Sequence, residues 1–169
     1  MHTPRRAHKP RRAYEAGHRP KFLALVEEGP EADRALRFAA RRARRVGATV
    51  VLLAIVEPGE DAPPLLGVAD LIHEEAMAMA EKALASAARL VVQAGAATPE
   101  WRSEEGAKAE AILTVIDADE DIALVVLPAA AQGPGLLVNA LLAADAAPFP
   151  IPIALVPGGL SDGEIDALA

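Results

Sequence analysis

The sequence contains no cysteine, and only 3% of its 169 residues are aromatic. Without cysteine the chain can form no disulfide, thiolate metal site or cysteine nucleophile. No apolar run is as long as the roughly 18 residues that a membrane-spanning helix needs. The basic N-terminus lacks the apolar segment of a secretory signal. We therefore expect a cytoplasmic protein with no transmembrane segment. Since hydrophobic residues make up 52% of the chain, its core is expected to consist of Ala, Leu, Val and Ile.

Charge is unevenly distributed along the chain. Residues 1–20 contain six basic residues and one acidic residue, a net charge of +5, whereas the remainder carries −12. Three prolines and the repeated Pro-Arg-Arg-Ala, at Pro4–Ala7 and Pro10–Ala13, predict a basic disordered arm over residues 1–20. Such an arm would make weak, salt-sensitive contact with nucleic acid or an anionic surface, or none at all. The acidic body is expected to repel both.

From Lys21 onward, short apolar runs alternate with segments of helical periodicity. Strands are predicted at Phe22–Val26, Thr49–Val56, Ala97–Ser103, Ile122–Leu127 and Ile151–Val156. Helices are predicted at Glu31–Val46, at Asp70–Ala94 with Asp70 as the N-cap, at Ala107–Asp117 and after Gly133-Pro134-Gly135. This alternation predicts one α/β domain over residues 21–158, with a parallel sheet and right-handed crossovers. Residues 159–169 are predicted to form a C-terminal tail.

Four segments resemble the universal stress protein family. They are Phe22–Glu27 with Ala32–Leu36, Gly47–Pro58, Glu105–Ile112 with Asp121–Leu127, and Pro150–Val156. The resemblance covers about Lys21 to Gly158 and rests on the order and spacing of these segments. It implies a Rossmann-like (HUP) three-layer α/β/α fold, in which a five-stranded parallel sheet of order 3-2-1-4-5 carries helices on both faces.

The resemblance also implies where a nucleotide would bind. Nucleotide-binding members have an acidic residue after the first strand, a Gly-x-x-Gly turn after the fourth, and a later Gly followed by Ser or Thr. Glycines let backbone N–H groups approach phosphate oxygens. Here these positions hold Glu27, then Pro128 and Ala131, then Asn139 and Ala140. Proline lacks an N–H, and no Lys, Arg, Ser or Thr lies between Pro128 and Ala144. We predict that ordinary ATP binding is lost and that the protein has no cofactor.

The alternative is a switch of the same fold that responds to an adenine nucleotide (ATP, AMP or cyclic AMP). Gly133-Pro134-Gly135 before a helix would suffice for one anion. The residues expected to line that site, in the crevice between the first and fourth strands, are Val26, Glu27, Ile55, Pro128, Ala131, Gly133, Gly135, Asn139 and Ala140.

Neither catalysis nor metal binding is predicted. His73 is the only histidine outside the first 20 residues, and no serine lies in a nucleophile-elbow sequence. The acidic cluster Asp117–Asp121 resembles the start of a calcium loop, but Ile122 stands where glycine is needed. The histidines of the arm have the spacing of a flexible segment. The protein is therefore predicted not to be an enzyme.

The last predicted strand is an edge strand in the implied order. Its alternate residues leave both faces apolar, and an exposed apolar edge favours aggregation unless it is paired. Pairing with a second copy would close a two-fold dimer, as the resemblance also implies. The predicted interface consists of Ile151, Ile153, Ala154, Leu155 and Val156. The predicted function is a non-catalytic stress-response or regulatory module that acts through homodimerisation and protein partners whose identity the sequence does not specify.

Overall fold

The computed structural model describes residues 9–59, 66–130, 133, 135–143 and 148–169. Within them the strands are β1 (Lys21–Leu25), β2 (Thr49–Val56), β3 (Glu100–Glu105), β4 (Ile122–Pro128) and β5 (Ile153–Val156). The helices are α1 (Pro30–Val46), α2 (Val68–Gln93), α3 (Lys108–Ala118), α4 (Leu136–Leu141) and α5 (Asp162–Leu168). The strands form one parallel sheet in the order β3-β2-β1-β4-β5. The predicted fold and strand order are confirmed.

Alternate residues of the central strands enter two separate core layers, because successive side chains of a strand point to opposite faces. Phe22 and Ala24 pack with α1 and α2 on one face. Leu23 and Leu25 pack with α3 and α4 on the other. Small residues on α1 let it approach the sheet closely, and the buried ones are Ala32, Ala35, Ala39, Ala40 and Ala43.

The ends of the first two helices follow from glycine. Gly47 adopts a left-handed conformation, with φ of 71°, after the last turn of α1, as expected for a C-terminal glycine. The N-cap of α2 is Gly67, so the prediction that Asp70 is the N-cap is wrong. Asp70 lies instead in the first turn, where its negative charge interacts favourably with the positive end of the helix dipole. None of the helices in the described residues is long and apolar enough to cross a membrane.

Residues 9–20, which we call the N-terminal strap, are hydrogen-bonded to the domain. The Arg11 guanidinium donates to the carbonyl oxygens of Ile116, at 2.7 Å, and Asp119, at 3.0 Å. The Arg12 N–H donates to the Glu120 carbonyl oxygen at 3.0 Å, and Ala13 is buried. The carbonyls near the end of α3 lack helical partners, and the strap supplies donors for them. The prediction of disorder is therefore wrong for the strap, and residues 1–8 lie outside the described residues.

The segment predicted as a tail contains α5, which packs against α1. Ser161 and Glu164 form a capping box, in which each side chain accepts a hydrogen bond from the other residue's backbone. Ile165 is fully buried. The Asp166 carboxylate accepts two hydrogen bonds each from Arg37 and Arg41, at 2.7 to 3.0 Å. The hydrogen bond from Arg37, with that from Arg41, lowers the pKa of Asp166.

Candidate ligand crevice at the switch point of the sheet

The switch point of the sheet lies between β1 and β4, where the strand order reverses direction. In open α/β sheets, ligands bind outside the carboxyl ends of the strands at this point. Three segments reach that edge here: Val26 and Glu27 after β1, Ile55 near the end of β2, and Pro128 at the end of β4. The geometry around Glu27 therefore decides what this crevice can hold.

A cavity of about 470 Å³ lies at the carboxyl ends of β1 and β2. It brings together three of the residues that the sequence predicted for a nucleotide site, Val26, Glu27 and Ile55. The Val26 N–H is already used, since it donates to the Leu53 carbonyl oxygen at 2.8 Å. The remaining lining residues are Leu25, Glu28, Glu57 and Lys108.

Lys108 occupies the position opposite Glu27 in this cavity. Its ammonium group lies 2.6 Å from Glu27 Oε1, with the lysine side chain 36% exposed and the glutamate side chain 29% exposed. The hydrogen bond that Lys108 donates to Glu27 raises the pKa of Lys108 against the opposing effect of burial, and the charges of Glu27 and Glu57 add to the increase. Glu27 is therefore held by an internal cation.

Sequence analysis missed Lys108, although one signal was present. Lys108 is the first residue of α3, directly after the turn at Gly106 that follows β3. In a parallel sheet the helices begin at the edge where the strands end, so a cation at the first turn of α3 faces the crevice.

The described part of the loop after β4 does not line this cavity. Pro128 pairs with Val156 in the sheet, and the Ala129 N–H donates to the Val156 carbonyl oxygen at 2.9 Å. Neither residue therefore offers a free N–H to a phosphate. Gly133 and Gly135 have left-handed φ values of 69° and 84°.

Among the described residues, the later predicted positions, Asn139 and Ala140, do not line the cavity at Glu27. Ala131 lies outside the described residues, and Asn139 and Ala140 are exposed on α4. The Asn139 N–H donates within the helix to the Gly135 carbonyl oxygen, at 3.1 Å.

The residues that line the cavity carry more negative than positive charge. Glu27, Glu28 and Glu57 contribute three carboxylates, against the single ammonium group of Lys108. These carboxylates would repel a triphosphate, because charges interact strongly in partly buried sites. The single lysine, which is already paired with Glu27, does not offset that repulsion. The cavity is better suited to a neutral or singly charged ligand.

Three further polar residues singled out in the sequence have protein partners within the described residues. His18 Nδ1 lies 2.6 Å from Asp121 Oδ1, and Asp119 binds the Lys21 ammonium group at 2.8 Å. His73 is exposed, with Nε2 3.4 Å from Glu105 Oε1. In the part of the chain that the structure describes, no cluster of three or more His, Asp or Glu side chains is placed to hold a metal.

The fold and the crevice together define a doubly wound α/β protein with a cavity at the carboxyl ends of β1 and β2, beside the switch point of its sheet. The sequence model of the universal stress protein family matches residues 18–143. The chain belongs to the universal stress protein family, which confirms the resemblance. No curated protein sequence matches it.

Solved structures share the fold. The universal stress protein UspA from Lactobacillus plantarum is 20% identical, with a TM-score of 0.64, over 81% of this chain and 97% of that chain. A universal stress protein in complex with cAMP is 19% identical, with a TM-score of 0.60, over 81% and 96%. The universal stress protein from Archaeoglobus fulgidus in complex with dAMP is 20% identical, with a TM-score of 0.55, over 80% and 95%.

Proposed function

We propose that this chain is a non-catalytic regulatory module of its family, which acts through homodimerisation and protein partners and does not bind ATP in the ordinary way. The observation that carries the proposal is the ion pair between Glu27 and Lys108 at 2.6 Å. In this ion pair the acidic residue at the crevice, Glu27, is already bound by a group of the protein itself, the Lys108 ammonium group. The cytoplasmic location stays a prediction.

Three features weaken the crevice as a triphosphate site. The cavity has a surplus of carboxylates. The first N–H after β4, that of Ala129, is used in pairing with β5. No Lys, Arg, Ser or Thr lies between Pro128 and Ala144 to replace the missing donors. Among the described residues, the crevice therefore offers fewer backbone donors and cations than several phosphate charges normally require.

The β5 edge supports the dimerisation part of the proposal. Among the described residues, β5 pairs with β4 alone, so its other edge has no strand beside it. Leu155 is 38% exposed, whereas Ile151 and Val156 are buried in the subunit. A partner strand would therefore contact Leu155 by its side chain and Ile151 and Val156 chiefly by their backbone.

The second candidate function is a switch that binds a nucleotide with a single phosphate. Lys108 favours it, because a ligand phosphate could replace Glu27 as the partner of the ammonium group. Two relatives of the same fold were solved with cAMP and with dAMP. In this chain Val26 and Ile55 would contact the base, since they are the less polar lining residues beside Glu27.

Isothermal titration with ATP, AMP and cyclic AMP separates the two candidates. The protein must first be checked for co-purified nucleotide. The proposal expects no binding of ATP tighter than about 100 μM, a free energy of roughly 5–6 kcal/mol. ATP binding above that affinity would contradict it.

A matched pair of variants shows whether any bound nucleotide uses the crevice. Lys108→Gln removes the cation that faces Glu27, while Arg102→Gln removes an exposed cation on β3, outside the crevice. If AMP or cyclic AMP binds the wild type, and only Lys108→Gln weakens that binding, the switch replaces the first candidate.

A further inference from the structure

A groove runs between α2 and the outer edge of β3, at the opposite end of the sheet from β5. Two cavities lie along it. One, of about 690 Å³, is lined in part by Ala85, Ala88, Val92, Thr98, Pro99 and Trp101. The other, of about 500 Å³, includes Met77, Glu81, Leu84 and Ser103. We call this surface the Trp101 groove, and it shares no lining residue with the cavity at Glu27.

The β3 edge offers backbone groups along the length of the groove. Within the described residues, β3 pairs with β2 alone. Trp101 and Ser103 lie beside Leu52 and Ala54, whose side chains belong to the core layer under α1 and α2. The six residues of β3 extend about 20 Å, at about 3.3 Å per residue. An open strand edge of this length can accept one more extended strand.

The α2 side of the groove supplies apolar contacts for such a strand. Trp101 is 42% exposed and Val92 is 48% exposed, although both are large apolar residues that favour burial. Tryptophan is enriched among the residues that dominate binding energy at protein interfaces. An apolar side chain from an added strand would cover the indole ring of Trp101.

The charge of the groove distinguishes between occupants. β3 carries Glu100, Glu104 and Glu105 against Arg102, and α2 adds Glu74 and Glu81 beside Ser103. Two β3 edges from two copies would bring these carboxylates together, and like charges across a strand pair are destabilising. A basic segment would instead meet complementary charge, which favours specific association.

The basic residues near the groove do not offset its surplus of negative charge. Arg102 and Lys21 both contact Glu100, so they compensate one carboxylate of β3. Arg89 lies at the boundary between the Trp101 groove and the neighbouring groove of α1 and α2. The half of the Trp101 groove that contains Glu74 and Glu81 has no Lys or Arg among its lining residues.

We propose that the Trp101 groove binds an extended basic segment of a partner protein, which adds a strand to the edge of β3. One apolar side chain covers Trp101, and Lys or Arg side chains lie near Glu74 and Glu81. The proposal gives the protein-partner part of the proposed function a surface. Its test uses no nucleotide and does not involve β5, so failure of one proposal is distinguishable from failure of the other.

Trp101 is the single tryptophan of the chain, so its fluorescence reports on this groove. The probe is a seven-residue peptide of alternating Lys and Val with blocked ends, titrated to about 1 mM, and the control peptide has Glu in place of each Lys. We expect a saturable blue shift of the Trp101 emission with the basic peptide only, because the indole ring leaves water. Salt should weaken the effect, since the contact is partly ionic.

Two further changes test the details of the contact. The double variant Glu74→Gln with Glu81→Gln alters exposed side chains of the groove and should bind the basic peptide about three- to tenfold more weakly. The matched control, Glu31→Gln with Glu110→Gln, removes two exposed carboxylates elsewhere and should bind as the wild type does. Replacing the central Val of the peptide with Pro should weaken binding, because an N–H needed for strand pairing is lost.

Three results would overturn the proposal. The first is an unchanged Trp101 emission with the basic peptide. The second is an equal response to the acidic peptide, which would show that charge does not select the occupant. The third is a shift of emission with protein concentration alone, accompanied by an increase of sedimenting mass, which would assign the groove to a second copy of the chain.

Discussion

The attachment of α5 to α1 can be tested by one substitution, Ile165→Ala. Ile165 is fully buried, whereas Leu168 of the same helix is 63% exposed. The two residues are close in size and share a seven-residue helix. Leu168→Ala is therefore a matched control for any change of helix propensity or of unfolded-state hydrophobicity.

The expected loss of stability in Ile165→Ala follows from the burial of the Ile165 side chain. Replacing a fully buried Ile with Ala costs about 2–5 kcal/mol, through lost transfer free energy and the cavity that remains. We expect the lower part of this range, about 2–3 kcal/mol, because α5 is a short helix that packs chiefly against α1 and can move to close the cavity. For a domain of this length that corresponds to a decrease in Tm of about 5–10 °C.

Urea unfolding followed by far-UV circular dichroism measures the effect, and thermal unfolding gives an independent check. Ile165→Ala should lower the midpoint with little change in the m-value, since α5 unfolds with the domain. Leu168→Ala should change the free energy of unfolding by less than about 0.5 kcal/mol. If the two variants are equally stable, the packing of α5 on α1 is wrong.

Two predictions concern other surfaces. Leu155→Lys should shift the protein from dimer to monomer in sedimentation velocity, because it places a charge on the exposed apolar part of β5. Leu168→Lys is the control, and a dimer that survives Leu155→Lys refutes the β5 interface. For Asp119, burial alone would raise the pKa, but hydrogen bonds from Lys21 and from the Asp121 N–H lower it below its ordinary value. Its contribution to stability is therefore complete above the ordinary aspartate pKa of about 3.9 and is lost as pH falls below it. Asp119→Asn should reduce the loss of stability in acid urea titrations relative to wild type, and parallel pH curves would contradict this.

The central sheet could be predicted because buried parallel strands appear as continuous apolar runs. Thr49–Val56 is both the predicted and the observed β2. The third strand shows the limit of this signal. It was predicted at Ala97–Ser103 but lies at Glu100–Glu105, where charged residues alternate with Trp101 and Ser103. An edge strand has one side in solvent, so it needs no apolar run.

The two additions to the domain differ in how far they could have been predicted. The capping box of α5 was visible in the sequence, since Ser161 is followed three residues later by Glu164. The strap carried no such local signal. Its main contacts join Arg11 to the carbonyls of Ile116 and Asp119, more than a hundred residues away, and the basic, proline-containing composition alone indicated disorder.

In the candidate site, only the residues that lie at the ends of strands could be predicted from the sequence to come together. Glu27 and Ile55 come together because β1 and β2 are parallel neighbours that end at the same edge. The partner of Glu27 depends on the start of α3, which the sequence placed at Ala107 without assigning Lys108 a role. Whether an acidic residue is free for a ligand cannot be known before its neighbours in space are known.

The strap and α5 both have a structural role, whereas the crevice is a candidate ligand site. The family match, residues 18–143, excludes most of the strap and all of α5. Each is held by arginines, Arg11 on the carbonyls near the end of α3 and Arg37 and Arg41 on Asp166. The strap contacts the loop that enters β4, at the amino edge of the sheet, whereas the crevice lies at the carboxyl edge. The strap can therefore stabilise the domain without occupying the Glu27 crevice.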